Sequence, residues 1–235
     1  MFDEVLWNIL LMAVCYAYIV LVIAISSKLN DFLHVSRKAS RKFLHIMIGN
    51  LPFIIPLFTS NIYPTLVAAP FILVTFLASP YSPLKSAGEK MRGLVGITEE
   101  GHSLGLVFYA ISYTVLAFFF ASKPYVMAAG ILPMAYGDAF ASIIGEKYGK
   151  KKFRLFANKS VEGSAAMFIF SFSSYALSLA FFSTLYNFYF FDKLFSAGVV
   201  ALVATVVEGV SPLGFDNLTV PAFSVLTLVL LGWNA

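Results

Sequence analysis

Charged side chains are scarce in this chain of 235 residues: Asp, Glu, Lys and Arg make up 12% of it, whereas 60% of its residues are hydrophobic. A soluble domain of this length carries roughly a quarter charged residues, so the composition excludes an ordinary water-soluble globule. Cysteine is scarcer still, because Cys15 is the only one. One cysteine excludes an internal disulfide and a thiolate metal cluster, and we expect Cys15 to fill apolar space.

The chain contains long apolar segments that carry little charge. A helix needs about 20 apolar residues to cross a bilayer, and eight segments approach that length: 4–26, 43–58, 61–79, 103–121, 124–145, 163–186, 194–210 and 217–234. The second is short and contains Gly49, Pro52 and Pro56, so we expect it to be broken or re-entrant. The predicted fold is an all-α, polytopic integral membrane protein with seven to eight transmembrane helices.

Positive charge is distributed unevenly between the two ends of these segments. With the N-terminus outside, all of the 16 Lys and Arg residues except Lys123 and Lys193 fall on the cytoplasmic side. Cytoplasmic loops of membrane proteins carry such an excess, which predicts an outside N-terminus. The same bias explains the net charge of +4. The expected partner is therefore the bilayer with its anionic headgroups, and nucleic acid is not expected.

The cytoplasmic segments are too short for a soluble domain. We therefore predict a single transmembrane domain over 1–235, with a cytoplasmic site drawn from 37–45, 80–102, 138–164 and 208–221. No internal repeat is visible in the sequence, which gives no support to an inverted-repeat transporter.

One carboxylate lies within the fifth apolar segment. Asp138 is roughly 10 Å from the inner end of that segment by helical rise. An ionised carboxylate there costs about 2.5–3.5 kcal/mol on insertion scales unless it meets a polar cavity or a partner. Asp138 is therefore a candidate functional residue, and a structural hydrogen bond to a neighbouring helix is the alternative. On a helix, Ala141, Gly145 and Gly149 form a smooth stripe beside it, which also fits a packing seam of small residues.

A basic stretch follows this stripe. Six basic side chains occur from Lys147 to Lys159, and a helix is predicted to begin near Ser160. Cations, close backbone approach and a helix N-terminus together suit an anionic phosphate. An ordinary positive-inside loop explains the basic side chains but not the ending at 158–163, and Ser160 also fits an N-cap. The chain contains no P-loop string and no kinase-type glycine-rich loop.

Two strings at fixed spacing combine these residues: Asp138-x-x-Ala141-x-x-x-Gly145-x-x-x-Gly149 and, eight residues later, Asn158-Lys159-Ser160-x-Glu162-Gly163. Together they resemble the CTP-binding signature of the polyprenol kinase family, which includes dolichol, phytol and farnesol kinases and the fungal CTP-dependent diacylglycerol kinase. The family pattern ends in Lys-Lys-Thr-x-Glu-Gly, so this chain departs from it at two positions, and only Asn158 removes a charge. Two further stretches are similar to family elements: Arg41-Lys42-Phe43-Leu44-His45, and Glu208 followed by Asp216-Asn217-x-x-Val220-Pro221.

The resemblance implies a multi-pass membrane enzyme that moves the γ-phosphate of a nucleoside triphosphate, CTP, to a membrane lipid alcohol with the help of Mg²⁺ or Mn²⁺. Phosphoryl transfer needs positioning and charge neutralisation, and carboxylates suit such a metal. The expected metal ligands are Asp138, Glu208, Asp216 and Asn217. The expected catalytic residues are Asp138, Glu162, Glu208 and His45. The expected nucleotide-binding residues are Arg41, Lys42, Ala141, Gly145, Gly149, Lys152, Lys159, Ser160 and Gly163.

Several alternatives stay open at this point. Asp216 also fits an N-cap of the last span, Glu208 a snorkelling helix end, and His45 a packing residue. A CTP-using lipid cytidylyltransferase would share membrane, CTP and Mg²⁺ but attack the α-phosphate, and the ending at 159–163 favours the kinase. An anion transporter predicts charges near the midplane of several spans, whereas the spans are nearly charge-free apart from Asp138. A prokaryotic cell membrane and an ER membrane fit equally, as do all isoprenoid alcohols and diacylglycerol as acceptors. The sequence does not indicate an oligomeric state.

Overall fold

The computed structural model describes residues 2–33, 36–83, 104–154, 156, 158–212 and 214–233. Most of these residues are α-helical, and the chain divides into two compact units, Met1–Ser122 and Lys123–Ala235. Five helical stretches are long and apolar enough to cross a bilayer: Asp3–Leu29, Pro124–Tyr148, Val161–Phe182, Phe190–Val210 and Asp216–Trp233. Two shorter apolar stretches are Ile62–Leu77 and Gly105–Phe120. The all-α membrane fold is confirmed, whereas the number of spans, the side of the N-terminus and the single domain stay predictions.

The described residues of the first unit form five α-helices. They are α1 (Phe2–Leu33), α2 (Arg37–Ile48), α3 (Ile62–Ala68), α4 (Pro70–Leu77) and α5 (Gly105–Phe120). Helix α1 packs on α2 and α3, and α5 packs on α3 and α4. The buried stripe of α1 has the helical spacing of three and four residues: Asn8, Leu11, Cys15, Ile19, Val22 and Ser26. Such a narrow stripe leaves the other faces of α1 for lipid, and Cys15 fills apolar space in it as predicted.

The second apolar segment, 43–58, is not a continuous helix. Helix α2 ends at Ile48, and two short 3₁₀ turns follow, Leu51–Phe53 and Ile55–Leu57. Each turn has a proline as its second residue, Pro52 and Pro56. Proline lacks the N–H that a helix interior requires, so two of them four residues apart prevent a full span. The prediction of a broken segment is confirmed.

The second unit is built around one buried helix. Its helices are α6 (Pro124–Leu132), α7 (Asp138–Tyr148), α8 (Val161–Phe182), α9 (Phe190–Val210) and α10 (Asp216–Leu228). A π-helical segment, Pro133–Gly137, joins α6 to α7, and a second one, Val229–Trp233, follows α10. Helices α8 and α10 both pack on α6, and α9 packs on α8 and α10. All residues from Val126 to Leu132 are buried, so α6 forms the core of this unit.

An antiparallel hairpin connects α7 to α8. Its strands are β1 (Lys152–Arg154) and β2 (Asn158–Ser160), and the register sets Phe153 opposite Lys159. The sequence predicted only a basic loop here, because strands of three residues show no clear alternation of apolar and polar residues. Side chains alternate along each strand, and Lys152, which is exposed, therefore lies on the other face from Lys159. The hairpin orients Lys159 for the site described next.

Candidate active site

The small residues of the signature lie where α7 and α8 touch. A Cβ on Gly145 would lie 3.0 Å from Ser160 Oγ, and a Cβ on Gly163 would lie 3.0 Å from the Ala141 carbonyl oxygen. A Cβ on Gly149 would lie only 2.2 Å from the Gly145 carbonyl oxygen. The glycines therefore permit a close approach of backbone and hydroxyl, as in other small-residue seams between membrane helices.

Ser160 occupies the space beside all three of these glycines. Besides its contact with Gly145, it would meet a Cβ on Gly149 at 2.7 Å through its Oγ. The same Oγ accepts a hydrogen bond of 3.1 Å from the N–H of Gly163 and caps α8. The N-cap prediction for Ser160 is confirmed, and the packing role of the glycines is observed. The predicted contact between the glycines and a nucleotide stays a prediction.

Lys159, the neighbour of this cap, points to a group of carboxylates. Its Nζ forms an ion pair with Glu208 Oε1 near the end of α9, and the two side chains are 18% and 4% exposed. Burial opposes the charged ammonium, but the Glu208 carboxylate, with smaller contributions from Asp138 and Asp216, outweighs burial and raises the pKa of Lys159. Lys159 is therefore an ammonium at neutral pH, held among three carboxylates.

These carboxylates come from three different helices. Asp138 begins α7, Glu208 lies in the last turn of α9 and Asp216 begins α10, and all three residues are buried. A buried carboxylate is costly unless it is paired or binds a cation. The three carboxyl groups supply hard oxygen donors, which are the ligands that a divalent cation such as Mg²⁺ prefers.

The metal ligands themselves stay a prediction. Among the described residues, no group of three or more His, Cys, Asp and Glu side chains is already spaced to hold a metal ion. The carboxylates would therefore have to move closer together around a cation. Glu208 is too buried for the snorkelling alternative, which is wrong.

The start of α10 is set by a turn that requires glycine. Gly214 has φ of +84°, a conformation that side chains disfavour. Asp216 is the first helical residue and Phe215 the cap, so the N-cap alternative for Asp216 is wrong. Asp216 Oδ1 accepts hydrogen bonds from the backbone N–H and the side-chain Nδ2 of Asn217, at 2.9 and 3.0 Å. These bonds fix the carboxylate at the positive end of the helix dipole.

Glu162, in the first turn of α8, contacts the backbone just before the hairpin. Both of its carboxylate oxygens are 3.4 Å from the backbone nitrogen of Lys151, which donates to them. It is not among the groups that act on Lys159. The structure thus gives Glu162 a structural contact, which fastens the hairpin to the first turn of α8. Its predicted catalytic role stays a prediction.

The remaining candidates belong to the first unit, on α2. Arg41, Lys42 and His45 are all buried, and the His45 ring lies 4.5 Å from the ring of Tyr109 on α5. The hydroxyls of Tyr109 and Tyr113 donate to the carbonyls of His45 and Ile48, at 3.0 and 2.8 Å, which holds the end of α2.

Neither tyrosine was predicted, although their i, i+4 spacing on an apolar helix was a usable signal. The predicted phosphate-binding role of the two cations and the catalytic role of the histidine stay predictions. Residues 84–102, part of the predicted site, lie outside the described residues.

Known proteins with similar sequences are named phytol kinase or dolichol kinase. The chain is 38% identical over 128 residues to a phytol kinase of Synechocystis sp., which is 53% of either chain, so it spans about half the length of this relative. It is 33% identical to a probable chloroplastic phytol kinase of Triticum aestivum, over 85% of this chain and 69% of that one. It is 31% identical to a dolichol kinase of Saccharomyces cerevisiae, over 88% of this chain and 40% of that one. No family model and no solved structure matches the chain.

Proposed function

Because this chain belongs to the polyprenol kinase family, we propose that it transfers the γ-phosphate of a nucleoside triphosphate to the hydroxyl of a membrane isoprenoid alcohol. The observation that carries the proposal is the position of Lys159, a residue of the signature, among three buried carboxylates. A phosphoryl transfer requires cations for the phosphates, a metal site and a group that takes the proton of the acceptor. Lys159 supplies a cation, and the carboxylates supply metal ligands and a proton acceptor.

The chemistry follows from the charges of these side chains. Lys159 binds the terminal phosphate as a point charge. A divalent metal, held by Asp138 and Asp216 with Asn217, would neutralise charge on the phosphates, and Glu208 would complete its shell where it does not serve as the base. The alcohol oxygen attacks the γ-phosphorus and its proton passes to a carboxylate, for which we favour Glu208. The bond between the γ-phosphorus and the bridging oxygen breaks, and the products are a lipid monophosphate and a nucleoside diphosphate.

Glu208 has to release Lys159 before the ammonium can serve a phosphate. In the structure the two side chains form a largely buried ion pair. A γ-phosphate carries more negative charge than a carboxylate and competes for the ammonium. The exchange frees the Glu208 carboxylate close to the transferred group, where it can bind metal or accept the proton. The ion pair thus describes the resting state of the proposed enzyme.

The donor, the acceptor and the side of the membrane are the finer parts of the proposal. We infer CTP as donor from the resemblance of the signature to that of the family. No residue of the signature recognises the nucleotide base directly. The relatives are named phytol kinase and dolichol kinase, so isoprenoid alcohols are the acceptors that we propose. The distribution of Lys and Arg supports a cytoplasmic site, with the alcohol entering sideways from the bilayer.

The test uses purified protein in lipid nanodiscs with Mg²⁺ and CTP that is labelled at either the α- or the γ-phosphate. Phytol, geranylgeraniol, farnesol, dolichol, diacylglycerol and phosphatidic acid are offered separately, and ATP and GTP are added as competitors. We expect the γ-label in the product of an isoprenoid alcohol. Incorporation of the α-label into lipid would overturn the proposal and make the protein a cytidylyltransferase.

A further inference from the structure

Three buried hydroxyls of the second unit have no hydrogen-bond partner among the residues that the structure describes. They belong to Ser171 and Tyr175 on α8 and to Ser224 on α10, and each side chain is 0% exposed. A buried hydroxyl without a partner destabilises a fold, and in an apolar membrane helix there is no bulk water to compensate it. Three of them in one unit call for a polar ligand.

Other hydroxyls on the helices of the second unit donate hydrogen bonds to carbonyls of their own helix. Ser178 and Ser183 on α8 or at its end donate to carbonyls three residues earlier, at 2.7 and 2.8 Å. Thr205 on α9 and Thr227 on α10 donate to carbonyls four residues earlier, at 2.8 and 2.7 Å. This is the ordinary solution for serine and threonine inside helices. Ser171 and Ser224 lie in the same kind of helix and do not use it.

Ser171 faces the π-helical segment instead. A Cβ on Gly137 would lie 2.2 Å from Ser171 Oγ, so the hydroxyl lies against the backbone just before Asp138. Pro133 opens this segment and has no N–H for the carbonyl of Ala129, one turn earlier, in a region that is fully buried. The widened turn shifts the remaining helical hydrogen bonds, a feature common at functional sites. The hydroxyl of Ser171 thus lies against backbone in which the regular helical hydrogen bonds are shifted.

We propose that ordered water is bound inside the second unit, between the α6 and π-helical backbone and the hydroxyls of Ser171, Tyr175 and Ser224. Helices α8 and α10, which carry the three hydroxyls, both pack on α6 and on the π-helical segment. A buried water typically makes about three hydrogen bonds to polar groups that would otherwise be unpaired. An isoprenoid chain has no hydrogen-bonding groups, so it could not satisfy these hydroxyls in place of water. The water holds the widened turn that ends at Asp138, and this inference does not depend on the proposed function.

Radiolytic labelling with short X-ray pulses detects the water directly. Hydroxyl radicals form from water next to a side chain, so the full chain in lipid nanodiscs is irradiated and its oxidised residues are measured by mass spectrometry. Phe182 is the matched control, because it is an aromatic residue of the same helix and is also 0% exposed. After correction for the reactivity of the free amino acids, we expect Tyr175 to be oxidised several-fold faster than Phe182. Equal rates would overturn the proposal.

Substitution provides a second measurement. The expected change in Tm has one sign if water is bound and the other sign if it is not. Ser171→Ala and Tyr175→Phe each remove one partner of the water, and we expect each to lower Tm by roughly 2–4 °C. Ser178→Ala is the control, because that hydroxyl is already bonded to its own helix, and it should change Tm less. Without water, removing an unpaired hydroxyl would leave Tm unchanged or raise it, and that result would sink the proposal.

Discussion

At the scale of single residues, the ion pair between Lys159 and Glu208 makes a specific prediction about nucleotide binding. Glu208→Gln should raise the affinity for CTP in the absence of metal by about tenfold, equivalent to about 1.4 kcal/mol. The reason is that the phosphate no longer competes with a carboxylate for the ammonium. Equilibrium binding of a fluorescent CTP analogue to the detergent-solubilised protein measures this, with excess chelator present.

Asp216→Asn is the matched control for this prediction. Asp216 acts on Lys159 from within the same group of carboxylates, whereas Glu208 holds the ammonium directly. Both substitutions remove one negative charge near the bound phosphate. If the two variants gain affinity equally, general electrostatics explains the gain, and the exchange of partners is refuted while the kinase proposal stands.

Asp138 should matter for turnover and not for folding. Asp138→Asn keeps the shape of the side chain but removes a charge that a metal requires, so we expect the protein to insert and fold while phosphoryl transfer falls by orders of magnitude. Asp192→Asn is the control, because Asp192 is an exposed carboxylate in the first turn of α9. Turnover of the γ-label measures both variants. Normal turnover by Asp138→Asn would remove that residue from the proposed metal site.

At the scale of elements, the contact between α7 and α8 should be sensitive to one methyl group. Gly149→Ala places a Cβ 2.7 Å from Oγ and 2.8 Å from Cβ of Ser160, across this contact. The same Cβ lies 2.2 Å from the Gly145 carbonyl oxygen, a backbone atom of α7 that cannot rotate away. Overpacking of this kind costs about 1–3 kcal/mol, so we expect a lower Tm. The shift of β2 should also move Lys159 and raise the KM for nucleotide.

Gly198→Ala is the control for this effect. A Cβ on Gly198, in the interior of α9, meets nothing within 4 Å, and alanine is a better helix former by roughly 0.5–1 kcal/mol. Its Tm should therefore stay the same or rise. Equal losses of Tm in the two variants would mean that the glycines of the signature have no special packing role.

Some of these elements could be predicted from the sequence and others could not. Apolar length predicted α1 and α8, and two prolines predicted the broken segment, because both effects are local. The hairpin was not predicted, since strands of three residues carry no periodicity. The ion pair of Lys159 joins residues 49 positions apart, and its formation depends on how the end of α9 meets β2. That Ser160 fills the space above the glycines likewise depends on the crossing of two helices.

At the scale of the whole molecule, the predicted orientation can be tested with two exposed positions at opposite ends of α8. Lys152 precedes this helix on β1, and Asn187 follows it. Twenty-two residues of helix extend about 33 Å, slightly more than the hydrocarbon core of about 30 Å. The two positions should therefore lie on opposite sides of the membrane, with Lys152 inside.

The measurement uses Lys152→Cys and Asn187→Cys, each in a Cys15→Ala background, and a membrane-impermeant maleimide added to intact cells. The background removes the only natural thiol. We expect labelling of Asn187→Cys in intact cells and of Lys152→Cys only after lysis, because the distribution of Lys and Arg predicts a cytoplasmic side for the basic hairpin. The reverse pattern would place the site on the outer side, away from the cytosolic nucleotide pool, and would contradict a nucleotide-dependent kinase. Labelling of both in intact cells would contradict the span itself.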